Sequence, residues 1–308
     1  MSRIHEALKK AAQERLSQAT AGTVLDLEDV AAGFVSPSDI TRQVAEPAAG
    51  DVPTSEGSSF LSFDDLLKRC AHPNWQLDPQ MNILLKTDNG RIAREQFRTL
   101  RSRLSQIAAT RPLKRVLVTS SVPAEGKTTV AANLAHSIMR QPDLRVLLID
   151  ADLRSSRMHQ LFGVRSGPGL TDYLRGEADK YAVIQNGVEG NLCFIPGGSE
   201  ASNPSELLLS DRMKKLLDLV TPVFDWIILD SPPALAVHDA SILADLCDGV
   251  LFVVKAGETD HRLAEKASSE FRKKNLLGVV LNHAEKDASY GGYYSGHAGD
   301  DQEDTDIK

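Results

Sequence analysis

The sequence has few of the features that mark secreted or membrane-spanning proteins. Its 308 residues include three cysteines and no CxxC pair, so we expect reduced thiols, with neither disulfides nor a zinc site. No apolar run approaches the roughly 18–20 residues that cross a bilayer. The first residues lack the hydrophobic segment of a signal peptide. We therefore expect a soluble, cytoplasmic chain that meets the inner face of the plasma membrane only through a partner.

An excess of basic charge is also missing. Lys and Arg number 35 against 42 Asp and Glu, giving a net charge of −7. Binding along nucleic acid needs a dense basic surface, so we expect no nucleic-acid partner. The hydrophobic fraction of 42% and the charged fraction of 25% are ordinary for a folded protein. The length allows one α/β core with residues to spare.

Composition divides the chain into five segments. Helical spacing of apolar residues in 1–17 predicts a small amphipathic helix, either a frayed terminal helix or a docking element. Residues 18–59 are rich in Ala, Ser, Pro and Gly, which predicts a flexible linker. Residues 60–90 regain apolar side chains and are predicted to be a partly ordered connection. We expect a folded domain over 91–285 and a flexible, acidic, tyrosine-containing tail over 286–308.

Aliphatic runs alternate with helical patterns between residues 91 and 284. The predicted strands are Arg115–Thr119, Arg145–Asp150, Leu192–Ile195, Trp226–Asp230, Gly249–Val254 and Gly278–Leu281. Helices are predicted between them, including one continuous helix over Leu207–Val220. This alternation predicts an α/β fold with a mostly parallel, doubly wound sheet that is covered by helices on both faces. Ligands of such sheets bind beyond the carboxyl ends of the strands.

A phosphate-binding loop is predicted directly after the first strand. Gly126, Lys127 and Thr128 form the end of a P-loop, although Ser121 replaces the first Gly of the usual GxxxxGK[ST] motif. In such loops the backbone N–H groups hold phosphates, the Lys reaches the β- and γ-phosphates, and the Thr hydroxyl binds Mg²⁺. The alternative is a chance Gly-Lys-Thr at a helix start. The predicted nucleotide contacts in this loop are Ser121, Ala124, Glu125, Gly126, Lys127, Thr128 and Thr129.

Carboxylates follow two of the predicted strands. Asp150 and Asp152 come at the end of the second strand, and Asp230 ends the strand beginning at Trp226. An Asp in this position near a P-loop commonly binds Mg²⁺, although each one alone could equally cap a turn or helix. If the chain stays extended, Asp150 and Asp152 share one side of the strand. Arg154 could stabilise charge at the phosphates or form a structural salt bridge.

These motifs, in this order, resemble the bacterial tyrosine kinases of capsule and exopolysaccharide export. The resemblance spans about residues 91–294. Its motifs are the P-loop, Asp150–Arg154, Leu229–Pro233, Gly169–Leu174, Asn203–Leu208, Asp239-Ala240 and Leu277–Asn282. It implies transfer of a phosphoryl group from Mg·ATP to a tyrosine.

The resemblance also implies roles for individual residues. Lys127 would contact the phosphates, Thr128 would bind Mg²⁺, and Asp230 would be the Walker-B-type carboxylate. Asp150 and Asp152 would share metal coordination and activation of the acceptor hydroxyl. We favour Asp150 as the base and Asp152 as the metal partner, a division that the sequence leaves open.

A tyrosine cluster lies near the C-terminus. Tyr290, Tyr293 and Tyr294 are three of only five tyrosines in the chain. Neighbouring glycines and the acidic tail predict a flexible segment that could reach an active site. The resemblance implies that these residues are sites of autophosphorylation, and the alternative is an incidental Tyr/Gly tail.

A charged helix before the first strand suggests an oligomer. Glu95, Arg98 and Arg101 are spaced three apart and lie roughly along one helix face. In the family an ExxRxxR pattern lines the contacts of a ring, so that each tail enters a neighbour's site; the alternative is an ordinary solvated face. The family also implies a membrane activator of the chain-length-determinant type, with phosphorylation regulating polymer export.

Two other functions remain open from the sequence. A partitioning ATPase of the MinD/ParA type carries a second lysine early in its P-loop, where this chain has Val122. A nucleotide-binding scaffold could bridge a membrane complex through residues 1–90. The complete set of P-loop and carboxylate residues argues against a degenerate site.

Overall fold

In the part of the chain that the structure describes, seven strands form one sheet in the order β3-β4-β2-β5-β1-β6-β7. The computed structural model describes residues 62–77, 90–187 and 191–284. All neighbouring strands are parallel except β3, which runs antiparallel to β4. The strands are β1 Arg115–Ser120, β2 Val146–Asp150, β3 Gln185–Asn186, β4 Leu192–Ile195, β5 Trp226–Asp230, β6 Gly249–Lys255 and β7 Leu276–Asn282. The predicted mostly parallel α/β fold is confirmed.

Helices connect the strands and cover the sheet. Within the described ranges they are α1 Phe63–Arg69, α2 Gly90–Ala108, α3 Lys127–Met139, α4 Met158–Phe162, α5 Leu170–Arg175, α6 Lys180–Val183, α7 Pro204–Leu209, α8 Asp211–Val220, α9 Asp239–Asp245 and α10 His261–Phe271. None of these helices is both long enough and apolar enough to cross a bilayer.

The sheet has a hydrophobic core on each face. Alternate residues of a strand point to opposite faces, so Leu117 enters one core while Val116 and Val118 enter the other. All three side chains are fully buried. Burial of both strand faces explains why the central strands are continuous aliphatic runs rather than alternating patterns.

Several details differ from the sequence prediction. The short helices α4 and α6 were not predicted, because each is only about one turn long. The edge strand β3 was not predicted, because its two residues, Gln185 and Asn186, are polar and too few to form a pattern. The prediction of one helix over Leu207–Val220 was wrong. The chain forms α7 and α8 there, because the backbone at Ser210 is extended, with ψ of 153°.

The described part of the predicted connecting segment packs against the sheet. Ser62 caps α1, and α1 buries Phe63 and Leu66 in one of the two cores. Farther along, the Trp75 ring packs at a tilt against the Phe162 ring, with ring centroids 4.6 Å apart. The amphipathic helix predicted over 1–17, the linker over 18–59 and the tail over 286–308 lie outside the described residues.

Candidate functional site

Strand order brings the P-loop and the carboxylates together. β5 lies between β1 and β2, so the ends of these three strands are neighbours. Asp230 at the end of β5 is in register with Asp150 of β2 on one side and with Val118 of β1 on the other. The loop after β1 therefore faces the carboxylates at the carboxyl edge of the sheet, where α/β folds bind ligands.

The loop turns into α3 through a left-handed backbone. Gly126 is the N-cap of α3 with φ of 88°, and Ala124 also has a positive φ of 67°. A Cβ atom on Gly126 would clash with Nδ2 of Asn282. Both the backbone angle and the close neighbour therefore require glycine at this position.

Glu125 braces this loop from within the protein. Its carboxylate accepts hydrogen bonds from the backbone N–H of Val122 at 2.8 Å and from the Thr259 hydroxyl at 2.5 Å. Asn282 Nδ2 donates to the Glu125 carbonyl at 2.9 Å. Both carboxylate oxygens of Glu125 thus support the shape of the loop, and the nucleotide contact predicted for this residue stays a prediction.

Lys127 and Thr128 point at the carboxylates. Lys127 Nζ lies 2.8 Å from Asp152 Oδ2 and 3.8 Å from Asp230 Oδ2. The Thr128 hydroxyl donates to Asp230 Oδ2 at 2.6 Å. The site therefore joins the first turn of α3 to the ends of β2 and β5.

Burial shifts the pKa values of the charged side chains in the site. Burial and the neighbouring Asp230 charge raise the pKa of Asp150 to about 7. Burial likewise raises the pKa of Asp230 to about 6, although Lys127 and Thr128 oppose the shift. Burial lowers the pKa of Lys127, but the charges of Asp230 and Asp152 outweigh it, so the net shift is upward and Lys127 stays protonated. The site combines three carboxylates with a single ammonium group, so its net charge favours the binding of a further cation.

The two carboxylates after β2 have different surroundings. Asp150 is 1% exposed and accepts from the Ser156 hydroxyl at 2.7 Å and the Met158 N–H at 3.2 Å. Its other oxygen accepts from the Asp152 N–H at 3.3 Å. Asp152 instead uses one oxygen for Lys127 and the other for the Ser155 N–H at 3.0 Å. The carboxylate in contact with the P-loop lysine is therefore Asp152.

Unsatisfied polar atoms fit a nucleotide and a metal ion. The Ser121 hydroxyl and Asp230 Oδ1 are buried and have no hydrogen-bond partner among the described residues. Over the same ranges, the chain has no cluster of three or more His, Cys, Asp or Glu side chains able to hold a metal alone. Mg²⁺ usually binds one or two carboxylates together with substrate phosphates, so Thr128, Asp152 and Asp230 suit a metal shared with a nucleotide.

Arg154 forms an ion pair. Its Nε lies 2.7 Å from Oδ2 of Asp239. Of the two roles predicted for Arg154, the salt bridge is present, and the phosphate contact stays a prediction.

The charged residues of α2 lie mostly on the surface. Arg98 Nη1 and Glu95 Oε1 are 3.5 Å apart, with exposed side chains. Arg101 instead donates from Nη1 to the Ser137 carbonyl of α3 at 2.6 Å. The predicted phosphoacceptors Tyr290, Tyr293 and Tyr294 lie outside the described residues.

Sequence reasoning missed several residues that support the site. Thr259 and Asn282 hold the P-loop, and Ser156 holds Asp150. Asn282 follows the last predicted strand, so its place at a carboxyl strand end was the available signal. Thr259 and Ser156 belong to loops without a recognisable motif.

Several known proteins are similar to this chain in sequence. A family model described as an AAA domain matches residues 124–259. A tyrosine-protein kinase of Bacillus subtilis, YwqD, is 37% identical over 218 residues, which cover 70% of this chain and 92% of that protein. A putative tyrosine-protein kinase in the cps region of Klebsiella pneumoniae is 33% identical over 69% of this chain, which spans only 30% of that relative.

A solved kinase-domain structure is also similar to this chain. The kinase domain of the Escherichia coli tyrosine kinase ETK is 34% identical and superposes with a TM-score of 0.62, covering 67% of this chain and 82% of that domain. These relatives favour the kinase interpretation over a partitioning ATPase, and the P-loop fold implies ATP binding. Because the YwqD match is 37% identical and extends over nearly all of that protein, this chain belongs to the family of bacterial tyrosine-protein kinases.

Proposed function

We propose that this protein is an ATP-dependent tyrosine autokinase that transfers the γ-phosphoryl group of Mg·ATP to Tyr290, Tyr293 and Tyr294. The observation that carries the proposal is the contact of Lys127 and Thr128 with carboxylates from two neighbouring strands. Its membership of a kinase family supports tyrosine as the acceptor. Positioning and charge neutralisation supply most of the rate in phosphoryl transfer, and this site is built for both.

Each P-loop residue then has a defined task. Lys127 exchanges its contact with Asp152 for the phosphate oxygens, while the backbone of Ala124, Gly126 and Thr129 surrounds the phosphates. Thr128 and Asp230 would hold Mg²⁺, with Asp152 as a further ligand. When bound there, the ion would supply positive charge that offsets the charge of the phosphates and of the buried carboxylates.

We assign Asp150 as the proton acceptor. Its raised pKa of about 7 lies close to physiological pH, which suits a general base. Ser156 and the Met158 N–H hold the carboxylate in one orientation. Asp150→Asn is then expected to lower the transfer rate with little change in ATP affinity, whereas Asp152→Asn is expected to weaken the binding of Mg·ATP.

The reaction is proposed to pass between subunits. The ExxRxxR pattern of Glu95, Arg98 and Arg101 supports a ring-like homo-oligomer in which a tail enters a neighbour's site. A membrane activator of the chain-length-determinant type would recruit the protein to the inner face of the plasma membrane. The cps region named for the Klebsiella relative supports a role in regulating capsule or exopolysaccharide export.

Intact-mass spectrometry with Mg·ATP tests the kinase proposal. The wild type is expected to gain steps of one phosphate, which disappear in Lys127→Met and in the triple variant Tyr290/293/294→Phe. Steady ATP hydrolysis without phosphate on the protein would instead favour the partitioning-type ATPase. Absence of both reactions, even with the membrane activator present, would favour a scaffold.

A mixing experiment tests transfer between subunits. Lys127→Met keeps the tyrosines and lacks the phosphate-binding lysine, whereas the triple Phe variant keeps the lysine and lacks the tyrosines. Phosphate is expected on the Lys127→Met chain only after the two proteins are mixed. If the mixed sample stays unmodified while the wild type is phosphorylated, the reaction occurs within one chain.

A further inference from the structure

A buried carboxylate outside the P-loop forms a two-bond ion pair with Arg154. Asp239, at the start of α9, is fully buried. Its two oxygens accept from Arg154 Nε at 2.7 Å and from Arg154 Nη2 at 3.2 Å. Two parallel bonds of this kind fix the plane of a guanidinium as well as its position.

Ser205, on a third element, forms hydrogen bonds to both members of this ion pair. Its hydroxyl donates to Asp239 Oδ1 at 2.5 Å and accepts from Arg154 Nη2 at 3.0 Å. Ser205 belongs to α7 and Asp239 to α9, while Arg154 follows β2. Three N–H groups of the guanidinium, one on Nε and two on Nη2, are therefore directed at protein acceptors.

The opposite edge of the guanidinium remains available. In the ranges that the structure covers, Arg154 Nη1 has no hydrogen-bond partner, and the side chain is 39% exposed. The hydrogen bond to Asp239 is the main reason that the pKa of Arg154 is raised, and the charge of Asp152 adds to it. Arg154 lies two residues after Asp152, whose carboxylate accepts a hydrogen bond from Lys127 Nζ at 2.8 Å.

A guanidinium held in this way close to the P-loop carboxylates suits one class of ligand. The two N–H groups of Nη1 can each donate a charge-assisted hydrogen bond to a phosphate oxygen, and a side chain already held in place loses little entropy on binding. Charge that develops on a transferring phosphoryl group is stabilised best by donors fixed before the reaction.

We infer that Asp239 and Ser205 are positioning residues, which hold Arg154 so that its Nη1 edge binds an oxygen of the transferring phosphoryl group. This inference deepens the proposed kinase function and rests on it. A salt bridge of purely structural value would tie α7 and α9 to the segment after β2 without affecting phosphate.

The first test measures binding without turnover. We would compare the affinities of the full chain for Mg·ADP alone and for Mg·ADP with aluminium fluoride, which mimics the transferring group. Ser205→Ala and Arg154→Lys are expected to lose roughly 10–100-fold in affinity for the mimic, with the affinity for Mg·ADP unchanged. Equal affinities of variant and wild type for the mimic would overturn the inference.

A matched control separates this role from general loss of an arginine. Arg175 also bridges a serine and a second acceptor, through Nη1 to the Ser199 hydroxyl at 3.1 Å and Nη2 to the Glu200 carbonyl at 2.7 Å. Arg175→Lys is expected to bind the mimic like the wild type. A loss in Arg175→Lys as large as in Arg154→Lys would contradict a specific role for the Arg154 group.

Chemical rescue gives a readout that a structural role would not move. Guanidinium ions at millimolar concentration are expected to restore mimic binding to Arg154→Ala and to leave Asp239→Asn, which still has its arginine, unrestored. No rescue in Arg154→Ala, with the variant still binding Mg·ADP, would count against the inference. Because these measurements need no tyrosine transfer, a wild type that binds the mimic without phosphorylating tyrosine would refute the proposed kinase alone.

Discussion

The charges at the strand ends and those along α2 were both predicted to be functional, yet their surroundings differ. The side chains of Lys127 and Asp230 are 12% and 1% exposed, against 67% for Arg98 and 52% for Glu95. Buried charges need partners of opposite charge. The buried site has more carboxylates than ammonium groups, so its charge favours the binding of a further cation. Solvated charges stabilise little by themselves, and those on α2 gain a role only when a second chain covers them.

Removal of Lys127 tests the buried side of this comparison and has the largest expected effect. Lys127→Met leaves the Asp152 and Asp230 carboxylates without their ammonium. We expect autophosphorylation to disappear and the free energy of unfolding at pH 8 to fall by about 3–5 kcal/mol. The loss should be smaller at pH 6, where the carboxylates protonate more readily. Urea denaturation at both pH values checks this.

An exposed ion pair provides the control. Lys68 and Asp65 are 3.5 Å apart on the surface of α1. Lys68→Met should leave the urea midpoint unchanged at both pH values. A loss at pH 8 equal to that of Lys127→Met would show that burial does not distinguish the two sites.

Two glycines with positive φ, one of them in the P-loop, can be compared to measure the effect of the Asn282 contact. Gly126 has φ of 88° with Asn282 against it, whereas Gly257 has φ of 72° and open space where a Cβ atom would lie, with no heavy atom within 4 Å. Gly257→Ala should cost only the backbone strain of about 1–2 kcal/mol. Gly126→Ala should cost more and weaken nucleotide binding at least ~10-fold, because it displaces the Asn282 brace and misplaces the phosphate contacts.

Calorimetric titration with Mg·ADP, together with thermal unfolding, measures both effects. Similar losses of stability and affinity in the two variants would mean that the Asn282 contact does not shape the loop.

The dependence of stability on pH tests the raised pKa of Asp150. The pKa of Asp150 is about 7 in the folded chain, above its ordinary value of 3.8. The folded state therefore holds more protons than the unfolded state between these values, and stability is lost as pH rises through about 7. Relative to Asp150→Asn, which cannot titrate there, the wild type should lose on the order of 1–3 kcal/mol between pH 5 and pH 8.

Unfolding by urea across this pH range gives the difference between the two proteins. Saturating Mg·ADP should reduce it, because a cation beside the carboxylates favours their charged form. A difference that stays constant with pH would show that folding does not raise the pKa of Asp150.

The smallest effect on folding is expected on α2. Arg98 contacts only the exposed Glu95 among the partners in the described chain, so Arg98→Ala should change the free energy of unfolding by less than about 0.5 kcal/mol. Arg101→Ala also loses its bond to the Ser137 carbonyl, which couples α2 to α3. Both variants are expected to become monomeric and to lose autophosphorylation.

Arg98→Ala is the cleaner test of the interface, because a change of mass in light scattering could not be attributed to misfolding. If Arg98→Ala and Arg101→Ala remain oligomeric and fully active, the charged face of α2 is only a solvated surface.

Much of the fold was predictable from local patterns. The aliphatic runs around Val116 and Ile228 mark strands buried on both faces, and the P-loop and the carboxylates could be placed at strand ends from their neighbours alone. The two-residue strand β3 and the break at Ser210 could not be predicted, because neither has a periodic pattern long enough to recognise. The supports of the site depend on distant pairs, such as Glu125 with Asn282, which are 157 residues apart.

Local sequence was enough to establish which residues can bind phosphate and metal and which segments form strands, because both follow from chemistry and periodicity within a few neighbouring residues. The packing of the whole chain was needed to establish that β5 lies between β1 and β2, which places Asp230 against both Thr128 and Asp150. It also joined Arg154, Ser205 and Asp239 from three separate elements. Such contacts depend on how whole strands and helices pack to bury their apolar faces, and no local stretch of sequence records that order.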